Sequence, residues 1–444
     1  MYIYTRASSK GRGAIPLEER ILRWISDRLA DRVASSVNFT KGADPGIFSR
    51  RVDRTALNVR VPFCRARCPF CAFPGEVYTE QYKRIYIHGL RDELRLYSEG
   101  FEGKGNRPVV ERVYLSGGTP TLLYKEFGQV SGYVSEYFPF RGKIAIEAYP
   151  NDLKDEVLKA LVDSGVNQVS VGVQTFNEAV LSKSLGRKGR REELTAVLRR
   201  VMDYGFEYVN IDLMFSLPNQ TKEMLVEDLE TAAGIGLHGI STYPLMLLHY
   251  TALAKIQSAG KGAKPRKGVA METDGGKETE QYLAIVETLE RYGYKLRTLW
   301  SFSLKPEAYE GPYEHECFIG LGPRAWGFVN DRFTLNAPST EDYLATINEG
   351  RLPVYAFSEV RNSPLVRLAR RFYYGGVNRS YLKGLEEESF WLRGLIWVLR
   401  LTGLVKWEGE ELKLTKEALA YGSIATKKIA SATLTKMDEI LRAG

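Results

Sequence analysis

The chain has 444 residues, 44% of them apolar and 26% charged, with a net charge of +8. That is the composition of a globular protein with room for two or three domains of about 100–200 residues each. It excludes a helical membrane span, because no apolar run is long enough, and its four cysteines exclude a disulfide scaffold and fit a reducing, cytoplasmic setting.

Residues 1–54 read as a basic N-terminal extension with one amphipathic helix. Met1 to Ile15 carries Arg6, Lys10 and Arg12, no acid, and none of the apolar core of a secretory signal. Residues 1–60 hold twelve Lys/Arg against six Asp/Glu, a basic surface that attracts anions. No nucleic-acid motif accompanies it, and a nucleic-acid partner is not expected. Pro16 suits the first position of a helix, and Leu17, Ile21, Ile25 and Leu29 predict its apolar face. Residues 36–54 read as a linker.

From residue 55 strands alternate with helices. The predicted strands are 56–61, 109–116, 143–149, 167–173, 208–215 and 239–245. The helices are 79–98, 155–164, 192–204 and 222–234. This alternation implies a parallel sheet, and six units predict an α/β fold with a partial (β/α)6 barrel over residues 55–330. In parallel barrels the chemistry gathers at the C-terminal ends of the strands. Residues 257–278, rich in Gly and Lys and including Lys264, Pro265, Arg266 and Lys267, read as a surface loop. A helix over 277–292 and an edge strand near 295–301 follow. Residues 331–354 read as a connector. Residues 355–444 read as a smaller, mainly α, winged-helix-like domain with a hairpin over 403–415, centred on Glu408, Gly409 and Glu410.

The most informative residues directly follow the first strand. Cys64, Cys68 and Cys71 form C-x3-C-x2-C, and three thiolates on one loop suit a 4Fe–4S cluster with one iron lacking a protein ligand. A closed structural zinc site wants four ligands; only Cys317, with His315 nearby, offers a distant fourth, so a Cys3His site stays open. Polar residues recur at later strand ends. Gly117, Gly118 and Thr119 end the second strand, where glycine lets backbone approach a ligand. Glu147 ends the third, and an inward carboxylate there is costly unless paired, as by an ammonium. Gln174 ends the fourth and Asp212 lies in the fifth, both suited to ribose hydroxyls. Arg187 could clamp a carboxylate. Each alone fits an ordinary structural role; the set gains its meaning from recurring at comparable places in successive units.

The segments Pro62–Cys71, Ser116-Gly-Gly-Thr-Pro-Thr-Leu, Glu147, Ser170-Val-Gly-Val-Gln-Thr-Phe, Leu185-Gly-Arg, Asp212-Leu-Met-Phe-Ser-Leu-Pro and Gly320-Leu-Gly-Pro-Arg-Ala occur in an order that resembles the HemN-like branch of the radical S-adenosylmethionine (SAM) superfamily. The resemblance covers roughly residues 55–330. It implies that Cys64, Cys68 and Cys71 hold a 4Fe–4S cluster, whose open iron SAM chelates. One electron then splits SAM into methionine and a 5′-deoxyadenosyl radical that abstracts hydrogen from an organic substrate, a tetrapyrrole among the candidates. By the same resemblance Gly117, Gly118 and Glu147 hold the methionine amine, Arg187 its carboxylate, Gln174 and Asp212 the ribose, Phe70 lies near adenine, and Thr119 is a further cofactor-binding residue. The electron donor would be a flavodoxin or ferredoxin.

The match departs from the branch in places. The oxygen-independent coproporphyrinogen III oxidases carry a further cysteine two residues after the third; here Phe73 stands there. A frequent Tyr–Glu pair is replaced by Arg297 and Thr298. Alternatives to plain hydrogen abstraction are therefore a class C-type radical methyltransferase or heme-degrading enzyme with a second SAM, and a heme chaperone of the HemW type. Residues 318–326 could help form a second SAM site or be a packed Gly-rich turn. His249 and His315 could bind heme or move protons, although isolated histidines are more often ordinary polar residues.

Overall fold

The structure is a computed structural model that describes residues 17–42, 46–73, 75–260, 275–306, 317–361 and 363–443. Pro16, most of the Gly/Lys-rich loop and His315 lie outside these residues.

Helix α1 (Leu17–Ser35) and the short β1 (Thr40–Lys41) precede the barrel. The barrel runs β2 (Arg54–Val61), β3 (Phe63–Cys64), β4 (Glu76–Val77), α2 (Glu80–Glu102), β5 (Val109–Gly117), α3 (Phe127–Tyr137), β6 (Phe140–Ala148), α4 (Asp155–Asp163), β7 (Val166–Gln174), α5 (Glu178–Leu185), α6 (Arg191–Asp203), β8 (Tyr208–Phe215), α7 (Lys222–Ile235) and β9 (Gly239–Pro244). Next come α8 (Ala252–Gly260), α9 (Gly275–Arg291), β10 (Lys295–Thr298), β11 (Ser301–Ser303), β12 (Phe318–Leu321), β13 (Trp326–Val329), β14 (Arg332–Asn336), α10 (Thr340–Asn348) and β15 (Val354–Glu359). The chain ends with α11 (Ser363–Tyr373), β16 (Gly376–Asn378), α12 (Arg379–Glu388), α13 (Trp391–Leu401), β17 (Val405–Glu408), β18 (Glu411–Leu414) and α14 (Lys416–Arg442).

Among the described residues thirteen strands form one open sheet in the order β1-β15-β14-β13-β12-β2-β5-β6-β7-β8-β9-β11-β10. The six expected strands, β2 and β5 to β9, pair in parallel. The sheet continues beyond them. Strand β12 pairs in parallel with β2, and β13, β14, β15 and β1 extend that edge antiparallel. The expected connector over 331–354 thus holds a strand of the main sheet and a helix. The expected edge strand is a tight antiparallel pair, β10 and β11, and residues 257–260 close α8 instead of opening a loop.

The alternation of each parallel strand decides the interior. On β2, Leu57, Val59 and Val61 face the helices and join the main core, while Asn58 and Arg60 face the lumen side with Ser116, whose hydroxyl donates to Asn58 at 2.8 Å. The helices are fixed locally by their caps. Thr79 Oγ1 accepts from Tyr82 N at the start of α2. Asn177 Oδ1 accepts from Val180 N at the start of α5, and Gly186, at φ 64°, ends it. Such N-caps contribute about 1 kcal/mol each, which matters most for a two-turn helix such as α5.

A second core joins both ends of the chain. Ile25 and Val33 of α1 pack with Leu365, Leu382, Leu392, Ile396 and Leu412. The inner face of α1 runs through Leu22, Ile25, Leu29 and Val33, whereas Ile21 is exposed. A strict four-residue spacing drifts away from the 3.6-residue helical period, so the predicted face is correct at Ile25 and Leu29 and lost at Ile21. The hairpin of β17 and β18 forms with Gly409 at its turn, and β16 adds a third strand. Three helices with this small sheet make the winged-helix-like arrangement. None of the described helices is long and apolar enough to cross a membrane.

Candidate functional site

The cysteine loop leaves the C-terminal end of β2. Its arms are β3 and β4, which pair in parallel. Cys71 N donates to Cys68 O at 3.2 Å, and Arg67 Nε donates to Gly75 O at 3.1 Å, so the loop is braced from within. The three thiols lie within each other's electrostatic reach. Burial is the main cause that pushes Cys64 up and Cys71 up to about 11, against hydrogen bonds from Thr119 and the Phe73 amide. Thr119 therefore touches Cys64 directly. Among the described residues no His, Cys, Asp and Glu group is drawn tightly enough to hold a single metal ion.

Cys317 is at the other end of the barrel. Its carbonyl accepts from Ala56 N, and its sulfur lies 3.6 Å from Thr55 Oγ1, at the start of β2. Cys64 lies beyond the far end of that strand, and Thr55 to Val61 alone spans roughly 20 Å at the usual strand rise. Cys317 is thereby no fourth ligand to the three cysteines of the loop.

The loop rests on the end of β5. Gly118 N donates to Val61 O at 2.7 Å and Thr119 N to Phe63 O at 2.6 Å. A Cβ on Gly118 would overlap the Phe63 carbonyl and stand 3.0 Å from Cys64 Sγ. One on Gly117, at φ 109°, would stand 2.6 Å from Val61 O. Both positions thus demand glycine. Because these amides are engaged, what the turn can offer an ammonium group is acceptors.

Glu147 and Asp212 supply more. Tyr114 Oη donates to Glu147 Oε1 at 3.1 Å and Gly117 N to Oε2 at 3.3 Å. Burial, then the charge of Asp212, pushes Glu147 up to about 7. Burial likewise pushes Asp212 up to about 6, although Ser170 Oγ at 3.0 Å and Asn210 Nδ2 at 3.1 Å donate to it. Both side chains keep some contact with solvent yet are wrapped by protein, as groups lining a recess are. Two acids sharing one recess favour a cationic guest.

Arg187 lies between two rings, its Cζ 5.2 Å from the centroid of Phe70 and 4.9 Å from that of Tyr149. Its Nε donates to Cys68 Sγ at 3.3 Å and its Nη1 to Gly172 O at 2.8 Å. The guanidinium thus links the cysteine loop to β7, and its fork carries further donors. Gln174 closes β7 at φ 76°, a left-handed conformation rare outside glycine, Asn and Asp, and its Nε2 would stand 3.1 Å from a Cβ on Gly172. The structure thus gathers Phe70, Gly117, Gly118, Thr119, Glu147, Gln174, Arg187 and Asp212 with the three cysteines at the C-terminal ends of β2 and β5 to β8.

Sequence reasoning missed Tyr149, Tyr114, Arg60 and Tyr250. Tyr250 Oη donates to Ala72 O at 2.9 Å and Arg60 Nη2 to Phe73 O at 3.3 Å, so both reach the cysteine loop. Period-2 counting from Asn58 would have placed Arg60 inward. His249 belongs beside Tyr250, its Nε2 3.7 Å from Asp438 of α14.

Gly320 and Leu321 belong to β12, and Gly322–Ala325 make the packed turn that follows it. A Cβ on Gly320 would overlap the Trp326 backbone, and Gly322 N donates to buried Glu93 at 2.8 Å.

Comparison with known proteins gives the family. Residues 58–232 match the model of the radical SAM superfamily. The chain is 31% identical over 277 residues to the heme chaperone HemW of Lactococcus lactis, covering 61% of this chain and 68% of the relative. It is 26% identical over 316 residues to the oxygen-independent coproporphyrinogen III oxidase of Paracoccus denitrificans, covering 68% of this chain and 69% of the relative. The solved structure of coproporphyrinogen III oxidase (HemN) from Escherichia coli superposes with a TM-score of 0.69 at 21% identity, over 89% of this chain and 94% of the other.

Proposed function

Because the chain belongs to the HemN-like branch of the radical SAM superfamily, whose cofactors are a 4Fe–4S cluster and SAM, we propose that it is an enzyme that cleaves SAM reductively and abstracts hydrogen from an organic small molecule at the barrel mouth. The observation that carries this reading is the meeting of the cysteine loop with Glu147, Asp212 and Arg187 at the ends of successive parallel strands.

The donor set fits the cofactors. Cys64, Cys68 and Cys71 are the cluster ligands, and the glycines at 117 and 118 let the chain close over them without a side chain in the way. Once bound, cluster and SAM together supply one-electron cleavage of the sulfonium and a hydrogen-abstracting adenosyl radical. The protein supplies placement. Glu147 and Asp212 give negative charge for the methionine ammonium and hydroxyl acceptors for the ribose, with Gln174 beside them. Arg187 is the carboxylate clamp, kept in place by Phe70 and Tyr149. Phe70 offers a ring face to adenine. Thr119 holds the Cys64 sulfur by a hydrogen bond. The electron comes from a low-potential one-electron donor such as a flavodoxin or ferredoxin.

The relatives' names give a second reading, a heme chaperone. Anaerobic cluster reconstitution followed by SAM and a strong reductant, read by mass spectrometry, separates the two. Formation of 5′-deoxyadenosine supports the enzyme; S-adenosylhomocysteine alongside it would make the enzyme a methyltransferase. An intact cluster with neither product, together with stoichiometric heme binding, would replace the enzyme reading by the chaperone.

A further inference from the structure

The turn between β12 and β13 carries an arginine in an unusual position. Arg324 has φ 56°, a left-handed conformation that costs a branched or long residue on the order of 1 kcal/mol or more. The backbone is pinned there. Arg324 N donates to Ala337 O at 2.9 Å and Ala325 N to Gly322 O at 3.2 Å. Gly322 is pressed against β2, since a Cβ on it would stand 2.6 Å from Arg60 O. The turn therefore seats Arg324 beside Arg60, the residue whose Nη2 donates to Phe73 O of the cysteine loop.

We propose that Arg324, with Arg60, forms an oxyanion-binding subsite that holds a carboxylate of the substrate beside the cysteine loop. This rests on the reading of the barrel mouth as the site of an organic small molecule.

The charges around Arg324 support it. Asp438, only 3% exposed, stands 3.8 Å from Arg324 Nη2 and 3.7 Å from His249 Nε2, while Arg442 Nε donates to it at 2.7 Å. One carboxylate faces the guanidiniums of Arg324 and Arg442, and Arg60 adds a third positive charge. Burial first, then the charge of Arg60, lowers the Arg324 pKa. Arg324 and Arg60 repel one another, and an oxyanion held between them would offset that repulsion. A guanidinium also binds a carboxylate through two parallel bonds. The wall is set from three parts of the chain: Tyr250 Oη donates to Ala72 O, Asp438 comes from α14, and Arg60 comes from β2. Arg60 also faces the Cys64 and Cys71 sulfurs, so its charge would act on a bound cluster as well. The charges acting on Arg324 are those of Arg60, Asp438, Tyr250 and Arg442.

The test uses the full, cluster-reconstituted chain under anaerobic conditions. Protoporphyrin IX and its dimethyl ester are titrated while the porphyrin absorbance is followed, because the relatives are named for heme and coproporphyrinogen. Sodium succinate, at constant ionic strength in chloride, is the small probe, read as a shift in Tm. The expected result is that the free acid binds about tenfold or more tighter than the ester, as charge-assisted hydrogen bonds would give. That ratio collapses in Arg324→Gln and is partly kept in Arg324→Lys. Both variants should retain the cluster absorbance, since Arg324 is in part exposed. Should no porphyrin bind while succinate raises the Tm of the parent and not of Arg324→Gln, the subsite stands and the tetrapyrrole is the wrong substrate. Equal binding of acid and ester, an unchanged ratio in Arg324→Gln, or no response to porphyrin or succinate overturns the subsite.

Discussion

Two regions of the thirteen-stranded sheet differ both in how their strands run and in how they are lined. In the parallel half the lumen side carries Asn58, Ser116, Tyr114, Glu147, Ser170, Asn210, Asp212 and Ser241, joined by hydrogen bonds such as Asn210 Nδ2 to Ser170 Oγ at 2.8 Å and to Ser241 Oγ at 3.0 Å. In the antiparallel extension the matching place holds Phe318, Trp326, Phe328 and Phe333, with ring centroids 4.8–6.0 Å apart. Parallel strands bring all their C-terminal ends, and the loops that follow, to one rim. Antiparallel strands send alternate ends to opposite rims, so they gather fewer loops and can fill their face with rings. The first half hosts chemistry; the second covers an edge that would otherwise be open to pairing.

Four experiments would break or sharpen this contrast. The largest effect is expected from Cys68→Ala. Losing a ligand should remove the cluster absorbance and cut SAM cleavage by more than the roughly 10–100-fold typical of outer-sphere changes. A full cluster in that variant would remove the basis of the site. Leu335→Ala, in the fully buried centre of β14, should act the other way. It should destabilise the fold by about 2–5 kcal/mol in denaturant titration while leaving SAM affinity per folded molecule unchanged. A matching fall in affinity would mean that the two halves are coupled.

A smaller effect concerns pH. Glu147 titrates at about 7, above the ordinary carboxylate range, so it is mostly protonated at pH 6 and mostly ionised at pH 8. An ammonium guest prefers the ionised form. SAM binding should therefore tighten up to about tenfold over that interval, and Glu147→Gln should flatten the profile. Calorimetry at both pH values checks this. The smallest effect is expected from Tyr149→Leu. Removing one ring from Arg187 should weaken SAM binding by about 0.5–2 kcal/mol, seen as a raised KM with kcat nearly unchanged.

Much of the parallel half was legible because each strand alternates cleanly and ends in a marked residue. All six strands lie within three residues of their expected ends, and every expected site residue is at the same rim. Helix α3 was hidden by Gly128 and Gly132, which weaken its local signal; only burial of Phe127, Val130 and Val134 makes it a helix. The extension was hidden because β12, β13 and β14 have only four or five residues each, too few for a period to declare itself. Tyr149 and Tyr250 were missed for another reason. Their meaning lies in partners far away in sequence: Arg187 for Tyr149 and Ala72 for Tyr250. The second core was half legible. The hairpin at Gly409 was plain, but nothing local in α1 says that Ile25 packs against residues near 396.

That last contact orders events in time. Ser26 Oγ donates to Tyr421 O at 3.1 Å across 395 residues, and Lys428 pairs with Asp31 at 2.9 Å. A ribosome releases the chain from its N-terminus, so α1 waits, inner face uncovered, until α14 has emerged. The same helix brings Asp438 to the barrel mouth. During synthesis the cysteine loop therefore leaves the ribosome several hundred residues before the α14 residue that stands beside Arg324 and His249.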